Sequence, residues 1–216
     1  MLQLHYHPSD ASLMPHIFLE ELGVPFELKL VDRANNAQKS PQYLKLNPNG
    51  LIPVLVDGDL VLYETPAILM HLADTHPQAR LLPALGTAER AHAYKWMVWL
   101  SNSLQSHLVL YFYAERYVEA AAMQDFRARV ETRIADLVDQ LEAQLIHSGG
   151  PWLLGEHYSA ADCMAFVLCC WTRNLQRPAN SLPALNGYLL RMRQRPAVQR
   201  AVLTENLPET FFSRAA

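Results

Sequence analysis

Residues 47–73, NPNGLIPVLVDGDLVLYETPAILMHLA, decide how this chain folds. They open with a loop of turn formers, Asn47-Pro48-Asn49-Gly50, followed by an apolar run over 51–56 with Pro53 near its start. Asp57-Gly58 then predicts a two-residue reversal, a strong hairpin signal. The returning strand, 60–63, ends at Glu64-Thr65-Pro66, where a helix begins. Thr65 suits the N-cap and Pro66 the first helical position. Pro53 has no N–H to give a ladder, so it belongs on an edge or at a strand's first residues. After a glycine loop it is also a candidate cis peptide. A cis bond there would turn the main chain of Ile52 outward, free to pair with something extended. A few residues on, the first turn of the Pro66 helix offers unpaired N–H groups, which favour an anion. One edge would then present peptide-like pairing beside carboxylate capture. The plainer alternative is a hairpin followed by a capped helix.

Towards the N-terminus, 2–6 alternates as a short strand and His7-Pro8-Ser9-Asp10 is a turn. Ser12 is placed to cap a helix that carries Pro15 in its first turn, where proline is tolerated. That helix runs to about Leu22, with Gly23 as its C′ residue. Residues 26–31 alternate as a second strand, and Ser40-Pro41 opens a short helix reaching Leu46. The order β-α-β-α-β-β-α predicts a mixed four-stranded sheet. Its first two strands are parallel through a right-handed crossover.

Beyond residue 75 the pattern changes. His76-Pro77, Leu82-Pro83 and Gly86 mark a linker. The expected division is a first domain at 1–76, a linker at 77–86 and an all-helical domain at 87–216. A long aromatic-rich helix is predicted from Thr87 to about Val118. Val130, Ile134, Leu137, Val138, Leu141 and Leu145 form one apolar helical face, broken at Ser148-Gly149-Gly150-Pro151. Ser159-x-x-Asp162 is a capping box, with Tyr158 and Cys163 at the staple positions. The run 163–171 is apolar nearly all round and predicts a buried central helix. Two more helices are predicted, over about 183–193 and 196–203.

Composition narrows the function classes. The 216 residues are 50% hydrophobic with a net charge of −3. No basic excess points to nucleic acid or an anionic membrane surface. No apolar run approaches the ~18–20 residues of a membrane span, and the first residues lack a secretory pattern. The three cysteines, Cys163, Cys169 and Cys170, have neither CxxC spacing nor a histidine at zinc-finger distance. They are expected as buried core thiols in a reducing compartment, and no metal site is expected.

In this order and spacing, the motifs make the chain resemble the glutathione transferase superfamily over almost its whole length. Those motifs are the Asn47-Pro48-Asn49-Gly50-Leu51-Ile52-Pro53 loop, the Tyr63-Glu64-Thr65 turn and the Ser159-x-x-Asp162 box behind Trp152-Leu153-Leu154-Gly155. The ends Pro8…Ser12-Leu13-x-Pro15-His16-Ile17 and Arg195-Pro196-Ala197-Val198 also fit. The N-terminal helix looks closest to bacterial, beta-like members. The resemblance implies an α/β thioredoxin-like domain followed by a C-terminal helical bundle.

It also implies a site. Glutathione is a γ-Glu-Cys-Gly tripeptide. In the family the residue before the cis-proline, here Ile52 beside Pro53, pairs with its cysteine backbone. The acid–hydroxyl pair, here Glu64 and Thr65, takes the γ-glutamyl end. Asn49 is implied as a further glutathione contact. A hydroxyl near the first strand–helix turn would activate the thiol, with Ser9, Ser12 and Tyr6 as candidates. Beta-like relatives carry a cysteine where this chain has Ala11, which weakens a thiol-oxidoreductase reading. His107, Tyr111 and Trp171 are candidates for the second-substrate pocket.

The implied activity is conjugation of glutathione thiolate to a small, electrophilic, apolar substrate, with no cofactor beyond glutathione. A homodimer in the cytoplasm is implied with it. The alternatives are a glutathione-dependent isomerase, dehalogenase or peroxidase on the same site, or a non-catalytic glutathione-binding protein.

Overall fold

The computed structural model describes residues 1–213. It divides the chain into two compact units.

The first unit is Met1–Leu82 together with Gln194–Pro208. Its sheet has the order β2-β1-β3-β4. β1 (Leu2–Tyr6) runs parallel to β2 (Phe26–Leu30) and antiparallel to β3 (Val54–Asp57), which pairs antiparallel with β4 (Leu60–Tyr63). The parallel pair is joined through α1 (Leu13–Leu22), which stops where Gly23 takes the left-handed φ of 65°. Strand alternation sorts the two faces. Val54, Val56 and Tyr63 face a cluster with Val31 and Tyr43, the latter on the short helix α2 (Pro41–Leu44). Leu4 and Leu55, paired across β1 and β3 and fully buried, point the other way. α1 and α3 (Thr65–Thr75) bury Leu13, Ile17, Ile68, Leu69 and Leu72.

The expected 87–216 helical domain is corrected at its far end. α9 (Pro196–Thr204) belongs to the first unit. It buries Ala197, Val198 and Ala201 and packs on α1, where Arg195 forks onto the Glu21 carboxylate at 2.6 and 2.9 Å. The last three positions of the expected range, 214–216, lie outside the described residues.

The second unit is Pro83–Arg193 with residues 209–213. The single helix expected to about Val118 is interrupted. α4 (Ala88–Trp99) passes through a π-helical turn, Leu100–Gln105, into α5 (Ser106–Phe112). It ends because Tyr113 leaves helical geometry at φ −116° and ψ 39°. α6 (Met123–Ser148) buries the predicted apolar face and stops at Gly149, φ 68°. α7 (Ala160–Trp171) carries the predicted capping box and is buried from Ala160 to Cys170, its three cysteines included. Asp162 accepts from the N–H groups of Ser159 (2.8 Å) and Leu153 (2.9 Å). Tyr188, on α8 (Pro183–Arg193), donates to the Asp162 carbonyl at 2.9 Å. Among the described residues, no helix is long and apolar enough to cross a membrane.

Candidate functional site in the first unit

Three pieces of chain meet at one end of the sheet, and the strand register shows why. Val54 pairs with His5 on one side and with Tyr63 on the other. The segments just beyond those partners are the 47–53 loop, the turn after Tyr6 and the Glu64-Thr65 start of α3.

The loop is braced from inside. The Tyr43 hydroxyl and the Asn47 side-chain amide both donate to the Leu51 carbonyl, each at 2.9 Å. Asn47 also accepts from the Asn49 N–H at 3.0 Å, and Lys39 donates to the Asn49 carbonyl at 3.0 Å. Burial pushes the Tyr43 phenol up, so it stays a protonated donor. The Ile52–Pro53 peptide is cis, as its sequence context predicts. Among the described residues, neither the N–H nor the C=O of Ile52 has a hydrogen-bond partner.

Glu64 sits at φ 74° and ψ 113°, a conformation L-residues rarely adopt. Such a residue costs about 1–3 kcal/mol and is characteristic of functional sites. Its placement corrects the sequence reading of the cap. Glu64 is the N-cap, Thr65 is already helical and buried, and among the described residues no side chain caps the helix. The Glu64 carbonyl takes the Ile68 N–H at 3.0 Å, while the first-turn N–H groups have no side-chain acceptor. An exposed carboxylate for an ammonium group therefore stands beside a helix start suited to a carboxylate.

The third piece is the turn after β1. Ser9 has φ 65°, and its N–H donates to Glu205 at 3.0 Å. Glu205 also accepts from His16 at 2.8 Å. Arg33 grips both oxygens of Asp10 at 2.8 and 2.7 Å. Burial raises the Asp10 carboxyl and Arg33 opposes that rise. Ser12 departs from expectation. Its side chain caps no helix. The buried hydroxyl donates to the His7 carbonyl and accepts from the His7 N–H, both at 3.1 Å, closing the turn. Its one proton is thus given to His7 within the turn. Burial and Glu205 raise the Tyr6 phenol, and its ring lies 6.3 Å from that of His16.

The second-substrate candidates all lie in the second unit. His107 and Tyr111 stand one turn apart on α5, on one face. The His107 Nδ1 faces the Ser103 carbonyl at 2.7 Å, so that nitrogen carries a donating proton. Tyr111 packs edge-on against Phe112, and burial raises its phenol. Trp171 is the last residue of α7.

Sequence reasoning missed Tyr43, Asn47 and Glu205 as contributors to this end of the sheet. Asn47 carried a signal, since an Asx residue opening N-P-N-G both turns and bonds its own loop. Glu205 carried none, because its partners are 189 and 196 positions away.

Comparison with known proteins shows the family. Residues 2–74 match the family model "Glutathione S-transferase, N-terminal domain", and residues 124–191 match "Glutathione S-transferase, C-terminal domain". The chain belongs to the glutathione S-transferase family. It is 34% identical to glutathione S-transferase GST-4.5 of Xanthomonas campestris pv. campestris, over 95% of this chain and 100% of that one. It is 33% identical to the disulfide-bond oxidoreductase YfcG of Escherichia coli, over 96% and 97%. A glutathione transferase homologue from Sulfitobacter, crystallised with bound glutathione, superposes with a TM-score of 0.87 at 30% identity, covering 96% of this chain and 99% of that one.

Proposed function

We propose that this protein binds glutathione at the end of the first unit's sheet and transfers its thiolate to a small electrophilic substrate. The observation that carries this reading is the unpaired Ile52 main chain beside the uncapped, strained Glu64-Thr65 helix start. In this reading Ile52 pairs with the cysteinyl backbone. Glu64 takes the γ-glutamyl ammonium, and the Thr65 hydroxyl and helix N–H groups take its carboxylate. Asn49 and the Pro53 ring border the same groove. A free thiol has a pKa of ~8.5, and the thiolate is the nucleophile. A hydroxyl donating to sulfur favours the anion. Ser9 is the proposed donor, with Tyr6 as the second candidate.

The step forms a carbon–sulfur bond while the leaving group departs with the bonding pair, and the thiol proton passes to solvent. Glutathione is the only co-substrate this requires. His107, Tyr111 and Trp171 are proposed to contact the electrophile. A cytoplasmic homodimer is proposed on family grounds.

Retention on glutathione-agarose and turnover of chlorodinitrobenzene test the proposal. Retention with turnover is the expected result, and absence of both overturns it. Retention alone favours a non-catalytic binder or an isomerase, dehalogenase or peroxidase on the same site. Disulfide exchange is a further reading that the resemblance to YfcG favours. Here glutathione would supply every sulfur, because all three cysteines lie buried in α7.

A further inference from the structure

The Leu51 carbonyl accepts two side-chain hydrogen bonds, from Tyr43 and from Asn47, each at 2.9 Å. This carbonyl belongs to the same planar peptide unit as the Ile52 N–H. In a trans peptide the oxygen and the hydrogen point in opposite directions across one rigid plane. The described cis bond is the next one, Ile52–Pro53, so the Leu51–Ile52 unit has the trans arrangement. Two donors converging on the oxygen therefore fix the direction of an N–H on the far side. Among the described residues that N–H has no partner.

The donors are themselves well held. Tyr43 packs in the buried cluster with Val31 and Val54, and its own N–H is capped by Ser40 at 3.2 Å. Asn47 is 3% exposed, and its oxygen is engaged by the Asn49 N–H. Both side chains are buried and hydrogen-bonded. Hydrogen bonding at a carbonyl also polarises the amide, making its N–H a stronger donor.

We infer that Tyr43 and Asn47 are positioning residues which, by clamping the Leu51 carbonyl, aim the Ile52 N–H at the cysteinyl backbone carbonyl of glutathione. This rests on the binding mode proposed above. Neither residue touches the tripeptide; both act through one peptide plane. Misaiming the N–H weakens an interaction that is alike in the ground and transition states, since the cysteinyl carbonyl takes no part in bond formation. The loss belongs in KM for glutathione and leaves kcat at saturation nearly intact.

Tyr43→Phe and Asn47→Ser, singly and together, test this in the full chain. The readouts are KM and kcat with chlorodinitrobenzene, and Kd for the thiol-free analogue γ-glutamyl-2-aminobutyryl-glycine by calorimetry. Each single variant is expected to raise KM and the analogue's Kd by about fivefold, the equivalent of one ordinary hydrogen bond. The double variant should raise both by more than either single change, with kcat within about twofold of the parent. Glu64→Ala serves as the reference for the γ-glutamyl end. If Glu64→Ala weakens analogue binding while Tyr43→Phe and Asn47→Ser leave it unchanged, the clamp is wrong and the binding mode stands. If the parent protein does not bind the analogue, the binding mode itself is wrong. A fall in kcat and melting temperature at constant KM makes the two residues merely structural, which also overturns the inference. Should Asn47→Ser fail to fold, Tyr43→Phe, which removes a single oxygen, decides alone.

Discussion

His16 and Glu205 are joined by a hydrogen bond of 2.8 Å between two side chains that are fully buried and 189 positions apart. The other oxygen of Glu205 holds the N–H of Ser9. One carboxylate, supplied by the segment after α9, therefore ties α1 to the turn that carries the proposed thiol activator.

Removing that carboxylate takes the acceptor from a buried His16 donor and from the part-buried Ser9 N–H. Each unsatisfied group costs about 1–3 kcal/mol. Glu205→Ala is therefore expected to destabilise the protein by about 2–4 kcal/mol in urea denaturation and to lower turnover as the Ser9 turn loosens. A loss below about 0.5 kcal/mol would mean that the contact does not bear on stability.

Ser9 separates stability from activity. Its φ of 65° is costly for an L-residue and natural for glycine. Ser9→Gly should leave the melting temperature unchanged or higher while turnover falls at least tenfold, about 1.4 kcal/mol of barrier. If turnover survives, the activating hydroxyl is elsewhere, and Tyr6→Phe is the next variant to measure.

Gly50 is the position in the loop where a side chain has no room. It lies at φ 60°, and an added Cβ would meet the Gln38 carbonyl at 2.8 Å and the Lys39 side chain at 2.7 Å. Gly50→Ala should cost about 1–3 kcal/mol from the left-handed conformation and the clash together. Because the same loop carries Ile52, it should also raise KM for glutathione. Unchanged stability and KM would show that the loop tolerates the shift.

The burial of Asp162 implies a pH dependence whose sign follows from its raised carboxyl. Burial pushes its carboxyl up to about 6, against hydrogen bonds from Leu153 and Ser159 that lower it. Between the ordinary carboxylate value and about 6 the folded state holds more protons than the unfolded one. This contribution is therefore fully present below about pH 4 and is lost as pH rises towards 6. Over that window it amounts to about 3 kcal/mol. Comparing unfolding free energies of the parent and Asp162→Asn from pH 4 to 7 isolates it. The parent should lose stability relative to the variant across the window, and parallel curves would contradict the assignment.

Much of this architecture was legible in short-range signals. The hairpin, the Pro53 context and the Ser159-x-x-Asp162 box each act within a few residues; the last two appear as read, while the reversal falls one position later, at Gly58-Asp59, with Asp57 still paired to Leu60. What was not legible depends on distant partners or on local competition. Ser12 looks like an N-cap, yet its hydroxyl is taken by His7. Thr65 looks like a cap because hydroxyls usually are, but the chain places a strained Glu64 there instead. The π turn at Leu100–Gln105 has no breaker in its sequence, and α9 returns to the first unit through Arg195 and Glu21, 174 positions apart. Asn47 was visible only as a turn former, and Tyr43 carried no reading of its own, until their common acceptor was known.

A crystal structure of the protein soaked with glutathione measures the main claim most directly. The cysteinyl backbone is expected within about 3 Å of the Ile52 N–H and C=O, with the γ-glutamyl end on Glu64 and Thr65. Glutathione ordered elsewhere on the molecule, with the Ile52 main chain still unpaired, would contradict it.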